Sequence, residues 1–404
     1  MRIRILIGMI LSAALMALSG CGGGGGGGTT GGVTPGTPTT LKGVASKGPF
    51  ISGSPVKVFT INQTSGAKGA QVGTGVVLDS QGNYSVEIGT TTGPVIIEVS
   101  GTYNDEATAA PKTVDAATPL RAAISNAVAG TNNVMVTALT ELAVKKMGGT
   151  LVKSNIDAKN GEIATIFKLD NIITTKPANA ADATSATATD AEKNYGLALA
   201  TISQLVVNKG QALDDVLKGI SDDITGTVLA DKSIVDFKTA LNDFVTSTNN
   251  KSGVTDASTS PINIGTFKLA HMKISTVLPA GAPKIGGIDF TINLPAGVTM
   301  TSDATTKQVT AGVVVSGVAA AAGTTSISLS TLNAQVLRTV LANAQGFVAG
   351  EFVDISCTIP TGVTVTKADL ITAIKAAALT ATDITGATIT GATITAADAD
   401  VTVF

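Results

Sequence analysis

The sequence of 404 residues has no tryptophan, three tyrosines, one histidine and two cysteines. A lone histidine cannot build a multi-histidine metal centre. With no GxSxG elbow and no activated cysteine nucleophile, His271 also has no partner for acyl transfer. The shortage of aromatic rings counts against sugar clefts and flat polysaccharide platforms, both of which stack rings on their ligand. Charge is sparse and balanced, 27 Lys and Arg against 29 Asp and Glu, so there is no basic excess to hold nucleic acid or an anionic bilayer surface. No CxxCH haem motif occurs. The fold must therefore rest on apolar burial, not on covalent staples or a cofactor.

At the N-terminus, Arg2 and Arg4 precede an apolar run from Ile5 to Leu18, the layout of a secretory signal peptide. The run is too short to cross a ~30 Å hydrocarbon core, so residues 1–20 read as a cleaved leader. Leu18-Ser19-Gly20-Cys21 resembles the lipobox of bacterial lipoproteins. That resemblance implies a Cys21 thiolate alkylated with diacylglycerol, cleavage just before it, and palmitate-type acylation of the new N-terminus. Each buried methylene contributes ~0.8 kcal/mol, so two or three chains hold where one is marginal. The expected membrane partner is thus reached through Cys21, in the bacterial cell envelope. Gly22 stands where an Asp would resemble an inner-membrane retention mark, which favours the outer membrane. Removal of the leader takes Arg2 and Arg4 away, leaving 25 basic against 29 acidic groups. It also leaves Cys357 as the one free thiol, so no intramolecular disulfide can form.

Residues 21–40, seven glycines and then TTGGVTPGTPTT behind the cysteine, read as a tether; about twenty such residues span roughly 25 Å. From 41 to 108 short β-rich runs alternate with glycine turns: Val56–Phe59, Val76–Leu78, Tyr84–Ile88 and Val95–Val99. Asp79-Ser80-Gln81-Gly82-Asn83-Tyr84 reads as a hairpin turn with Gly82 at positive φ, and it lacks the acids of a calcium loop. GVASKGP (43–49), that turn, and GPVIIEVSGTYNDEAT (93–108) resemble carboxypeptidase-regulatory-like (transthyretin-like) modules. The resemblance implies a prealbumin-like sandwich of structural or binding character.

Residues 109–250 read as a helical domain, the 3.6-residue period setting in near Pro119. Ala138–Met147 and Ile156–Leu169 are helical patterns. Thr189 and Glu192 fit a capping box ahead of the stripe Tyr195, Leu199, Ile202 and Val206, with Gly210 as a stop. Ser233 is expected to cap Ile234, Phe237, Leu241 and Phe244 in the same way, and Asn179–Thr189 reads as an exposed connection. Strand signals return over 264–404, at Phe267–Leu278, Ile288–Leu294, Val309–Val318, Thr325–Leu329, Gly350–Ile359 and Val401–Phe404. IDFTINLPAGV (288–298), Gly346-Phe347 and Gly350-Glu351-Phe352 resemble core strands of cohesin modules. That implies a jelly-roll sandwich of the carbohydrate-binding-like kind with a dockerin-like partner. ITGATITGATITAAD (384–398) spaces isoleucines five apart around glycines and reads as a strand-and-turn element. The expected whole is a multidomain α+β chain, two antiparallel β-sandwiches flanking a small helical domain.

Few residues offer chemistry. Ser65-Gly66-Ala67-Lys68 spells SxxK, but in a Gly-rich connection without KTG or SDN companions. Cys357 alternates with polar neighbours as a buried small hydrophobe does, and His271 reads as an ordinary strand histidine. A glycosidase needs two carboxylates facing each other, and Asp289, Asp303, Asp354, Asp383, Asp398 and Asp400 are the C-terminal acids that distant strands could bring together. The sequence leads to a non-catalytic binding or scaffolding lipoprotein, without cofactor or metal, partnered by membrane, by an envelope protein or by polysaccharide. The alternative is a carbohydrate-binding protein linked to polysaccharide breakdown.

Overall fold

The computed structural model describes residues 36–310, 312–331, 335–397 and 400–404. Leu18, Ser19, Gly20, Cys21, the tether up to residue 35 and Asp398 lie outside them. The fold is mixed α+β and mostly sheet.

The first third is built from β1 (Thr39–Ser46), β2 (Pro55–Ile61), β3 (Lys68–Val76), β4 (Asn83–Glu87), β5 (Gly93–Val99), β6 (Gly101–Asn104), β7 (Pro111–Val114), β8 (Leu120–Ala127), β9 (Gly130–Asn133) and β10 (Val136–Thr137). One antiparallel sheet runs β3-β2-β5-β8, and in a second β1 pairs antiparallel with β4 and parallel with β9 and β10. Period-2 alternation sends Val56 and Val58 of β2 and Tyr84 and Val86 of β4 inward, as a pleated strand with one buried face requires. The Asp79 carboxylate accepts from the backbone N–H groups of Gln81 and Asn83 at 2.9 and 3.2 Å, and Gly82 sits at φ 79°. Tyr84 then donates its hydroxyl to Val134 O at 2.6 Å, tying β4 to the segment between β9 and β10.

Strands continue where a helical period was expected. Leu120–Ala127 is alanine-rich, which looks helical, yet its alanines are what fit between sheet neighbours: Ala122 and Ala123 lie opposite Ile97 and Ile96 of β5 and are fully buried. Helices begin only at α1 (Ala138–Lys146), followed by α2 (Lys153–Ile166), α3 (Asp190–Lys209), α4 (Leu213–Asp222), the short hairpin β11 (Ile224–Thr225) and β12 (Val228–Leu229), and α5 (Asp231–Thr246). Thr189 and Glu192 form the expected capping box of α3, and Gly210 ends it in the left-handed region. The N-cap of α5 is Ala230, not Ser233. Ser233 lies inside the first turn and donates to Asp223 Oδ2 at 2.6 Å, because Asp231 already supplies the acidic first turn that the helix dipole favours. Residues 183–187, inside the expected connection, wind into a 3-10 turn capped by Asp182. Side chains of these sheets and helices form one apolar core that runs from Leu41 to Leu269 and takes in Phe404.

The last third contains β13 (Lys268–Val277), β14 (Ile285–Asn293), β15 (Val313–Val315), α6 (Gly317–Ala321), β16 (Thr325–Thr331), β17 (Val336–Phe347), β18 (Glu351–Ile359), α7 (Lys367–Lys375), β19 (Ala378–Asp383), β20 (Thr393–Thr395) and β21 (Val401–Val403). One sheet runs β15-β18-β13, with β21 and β20 end to end along the other edge of β13, and another runs β16-β17-β14-β19. Both feed a second core, where Phe290 of β14 meets Phe352 of β18 edge-on at 5.7 Å. The expected strand over Val309–Val318 shrinks to Val313–Val315, since Gly317 at φ 53° turns the chain into α6. The isoleucine repeat yields turns at Gly386 and Gly391 and only the short β20; Ile389 is buried and Ile384 exposed.

Candidate functional site

Strand β13 has two occupied faces. Ala270, Met272 and Ile274 enter the C-terminal core, so alternation turns His271 to the opposite face, where α5 lies across the sheet. His271 stands in register with Ser356 of β18 on one side and Thr402 of β21 on the other. Asp354, two residues before Ser356, is therefore its diagonal neighbour on the same face. From above, α5 brings Thr239, whose hydroxyl donates to Ser356 Oγ at 2.7 Å, and then Asn242 and Asp243 one turn later. The Asn242 Nδ2 is 3.0 Å from His271 Nδ1.

The result is an imidazole between two carboxylates. His271 Nε2 lies 2.5 Å from Asp354 Oδ1 and 3.8 Å from Asp243 Oδ1, and the His271 side chain is only 3% exposed. The Asp354 contact is close enough for a shared proton, whereas the Asp243 contact is longer than a hydrogen bond and leaves Asp243 Oδ1 without a hydrogen-bond partner. Asp243 is held through its other oxygen, which accepts from Asn208 Nδ2 at 2.8 Å, and Asn208 in turn accepts from Gln204. Burial alone would lower the pKa of His271, but the carboxylates of Asp354 and Asp243 outweigh it, so the ring titrates above its ordinary value. Burial raises Asp243 above the usual carboxylate range, against the pull of His271. Asp354 also lines a crevice of about 200 Å³ between α3, α5 and β18, whose rim carries the Lys209–Asp236 ion pair at 2.6 Å. Among the described residues, Asp243, His271 and Asp354 are the set of three acid, imidazole or thiol ligands whose donor atoms lie within 4.8 Å of one another.

A second polar cluster is closed to solvent. Lys47 Nζ lies 3.4 Å from Asp105 Oδ2 and donates to Ser203 Oγ at 2.5 Å; Ser203 donates to Glu106 Oε2 at 2.5 Å, and Glu106 Oε1 accepts from Gly48 N at 2.6 Å. Burial pushes the Lys47 pKa down and the Glu106 pKa up. The GVASKGP segment is shaped around this cluster: Gly48 has φ 56°, and a Cβ there would sit 1.7 Å from Asn104 O. The network bolts the end of β1 to α3 and offers no room for a substrate.

The other candidates are dispersed. Asp289 pairs with Arg338 on the surface, while Asp303, Asp383 and Asp400 accept from backbone N–H groups of their own turns. Ser65 and Lys68 flank the β2–β3 connection, where Lys68 pairs with Glu98 at 2.7 Å. Cys357 is a buried free thiol beside Met300 Sδ, its pKa raised by burial. Asp354 was among the acids singled out from sequence; Asp243 and Asn242 were not. Their one sequence signal is that polar residues recur within the apolar stripe of α5, where Lys238 and Asn242 are buried. A separate crevice of about 460 Å³ is lined by Asn126, Asn133, Asn160 and Asp157 among others, and Asn160 Oδ1 has no hydrogen-bond partner. Compared with models of protein families, with curated proteins and with solved structures, the chain matches none.

Proposed function

We propose that the chain is a lipid-anchored protein of the bacterial cell envelope that binds or scaffolds other molecules without catalysing a reaction. The observation that carries this reading is Leu18-Ser19-Gly20-Cys21 behind a short basic and apolar leader, followed by a glycine tether that leads to the first strand at Thr39. Acyl chains on Cys21 would hold the folded body at the bilayer, most simply the outer membrane, through hydrocarbon burial alone. Two β-sandwiches flanking helices are the finer arrangement we propose for that body. The cross-sheet contact of Phe290 with Phe352 supports the C-terminal one, and the shared core of the β1 and β2 sheets supports the other. Transthyretin-like and cohesin-like characters belong to the same proposal, with an envelope protein or a dockerin-like module as partner. Trypsin provides the test, because no Lys or Arg lies between Cys21 and Lys42. Membranes from the native host should yield the peptide from Cys21 to Lys42 bearing a diacylglyceryl thioether. An unmodified Cys21, or a mature chain that keeps Arg2 and Arg4, refutes the reading.

A second reading, carbohydrate binding, is favoured by the amide-lined crevice, since side-chain amides both donate to and accept from hydroxyl groups. A glycan array on which the full-length protein binds a saccharide, and Asn160→Ala does not, supports it. A silent array removes it.

A further inference from the structure

We propose that Asp243, His271 and Asp354 form a three-ligand site for one divalent transition-metal ion of the Zn²⁺ kind, clamping α5 onto β13 and β18 and leaving one coordination position toward the adjoining crevice. Nothing in this depends on the lipid anchor, and either reading can fail alone.

The donors suit such an ion and few others. One imidazole and two carboxylates carry two negative charges when the ring is neutral, which a dication offsets. The imidazole disfavours Mg²⁺ and Ca²⁺, which take oxygen shells. A tetrahedral shell of radius about 2.0–2.2 Å sets ligand atoms about 3.3 Å apart. His271 Nε2 is 3.8 Å from Asp243 Oδ1 and 2.5 Å from Asp354 Oδ1. One distance shortens and the other opens, each by less than about 1 Å, to meet that geometry. Asp354 can make this adjustment because it borders the crevice.

The surroundings also suit a ligand site. His271 Nε2 lies 2.5 Å from Asp354 Oδ1, closer than the two atoms can stand without a proton or an ion between them, and Asp243 Oδ1 is buried beside them with no hydrogen-bond partner. Metal-bound histidines characteristically give their second N–H to an outer acceptor. The Asn242 amide stands at that position with Nδ2 3.0 Å from Nδ1, and a half-turn of this near-symmetric group brings its acceptor oxygen there. With its amide oxygen turned to Nδ1–H, it fixes the tautomer that leaves the Nε2 lone pair for the ion. Asn208 holds Asp243 Oδ2 and so leaves Oδ1 available. Because Cys357 is a buried free thiol, an ion here would be a cross-link between helix and sheet that no disulfide provides.

The test is a titration of the chelator-stripped full-length protein in detergent, first with Co²⁺ and then with Zn²⁺. The proposal expects saturation at one equivalent, visible Co²⁺ ligand-field bands that Zn²⁺ bleaches and Ca²⁺ does not, and an X-ray absorption shell of nitrogen and oxygen with imidazole scattering. His271→Ala and Asp354→Asn should abolish stoichiometric uptake. Asn242→Leu, one step removed, should weaken it by about 10–100-fold. Loss of a buried charge can unfold the chain, so the wild-type spectra carry the test without the variants. Absence of saturable uptake, a shell lacking imidazole, or undiminished affinity in a folded His271→Ala protein overturns the proposal.

Discussion

Replacing Lys47 by alanine removes the fully buried cation from a pocket that still holds Asp105 and Glu106, 1% and 3% exposed. Breaking a buried ion pair from one side costs about 3–5 kcal/mol, because the remaining charge stays desolvated without a counter-charge. Lys112, 3.3 Å from Asp105 and a third exposed, compensates part of this for Asp105 but does not touch Glu106. For cooperative unfolding of roughly 370 residues at about 2.1 cal/mol/K per residue, 3–5 kcal/mol lowers Tm by about 4–6 °C. Ser203→Ala removes a neutral link and leaves Glu106 Oε2 and Lys47 Nζ each short of a partner, a smaller loss of about 1–3 kcal/mol. Thermal unfolding followed by circular dichroism on both single variants and the double variant gives the coupling. The double should lose less than the sum of the singles, since both act on one network. A Lys47→Ala protein melting within about 1 °C of wild type would refute the reasoning, since such a loss is far below that of a stranded buried charge.

The same cluster sets a pH dependence. Burial raises Glu106 above its ordinary 4.5, so the folded state holds this proton more tightly than the unfolded state, and its contribution is fully present below 4.5 and fades as pH rises through the folded value. Urea midpoints should show wild type losing stability relative to Glu106→Gln from pH 4.5 upward; an unchanged difference would contradict this. Phe290→Ala, which empties the fully buried ring facing Phe352, should cost about 3–5 kcal/mol in denaturant unfolding. Arg338→Ala, at the half-exposed Asp289 pair, should leave the denaturant midpoint essentially unchanged, because solvent screens the pair; a clear fall would contradict this. Cys357, buried and held as a thiol, should resist a thiol reagent in native buffer and react at once in denaturant; rapid native labelling would show that its strand opens.

Much of the fold was legible where local chemistry and tertiary context agree. Thr189, Glu192 and Gly210 mark α3 because caps satisfy backbone groups locally, and Asp79 to Tyr84 marks a turn for the same reason. Leu120–Ala127 was misread because alanine favours helix intrinsically, whereas packing against β5 decides its state. β17 alternates cleanly, burying Leu337, Thr339, Leu341 and Asn343, but two of those four are polar, so a hydrophobic count passes over it. α7 was missed although Thr366 and Asp369 form a capping box; its Ala and Thr content masked a short apolar stripe of Leu370 and Ile374. The His271 cluster was unreadable for another reason. Its members stand at 243, 271 and 354, and only the α5 crossing and the β13–β18 register bring them together.

The central claim, attachment through one acylated sulfur, is tested most directly by expressing wild type and Cys21→Ala in the native host and separating membranes from soluble fractions after palmitate labelling. The account predicts label and membrane recovery for wild type, and an unlabelled protein released from washed membranes for the variant. A Cys21→Ala chain that still takes up palmitate and stays with the membrane would contradict it.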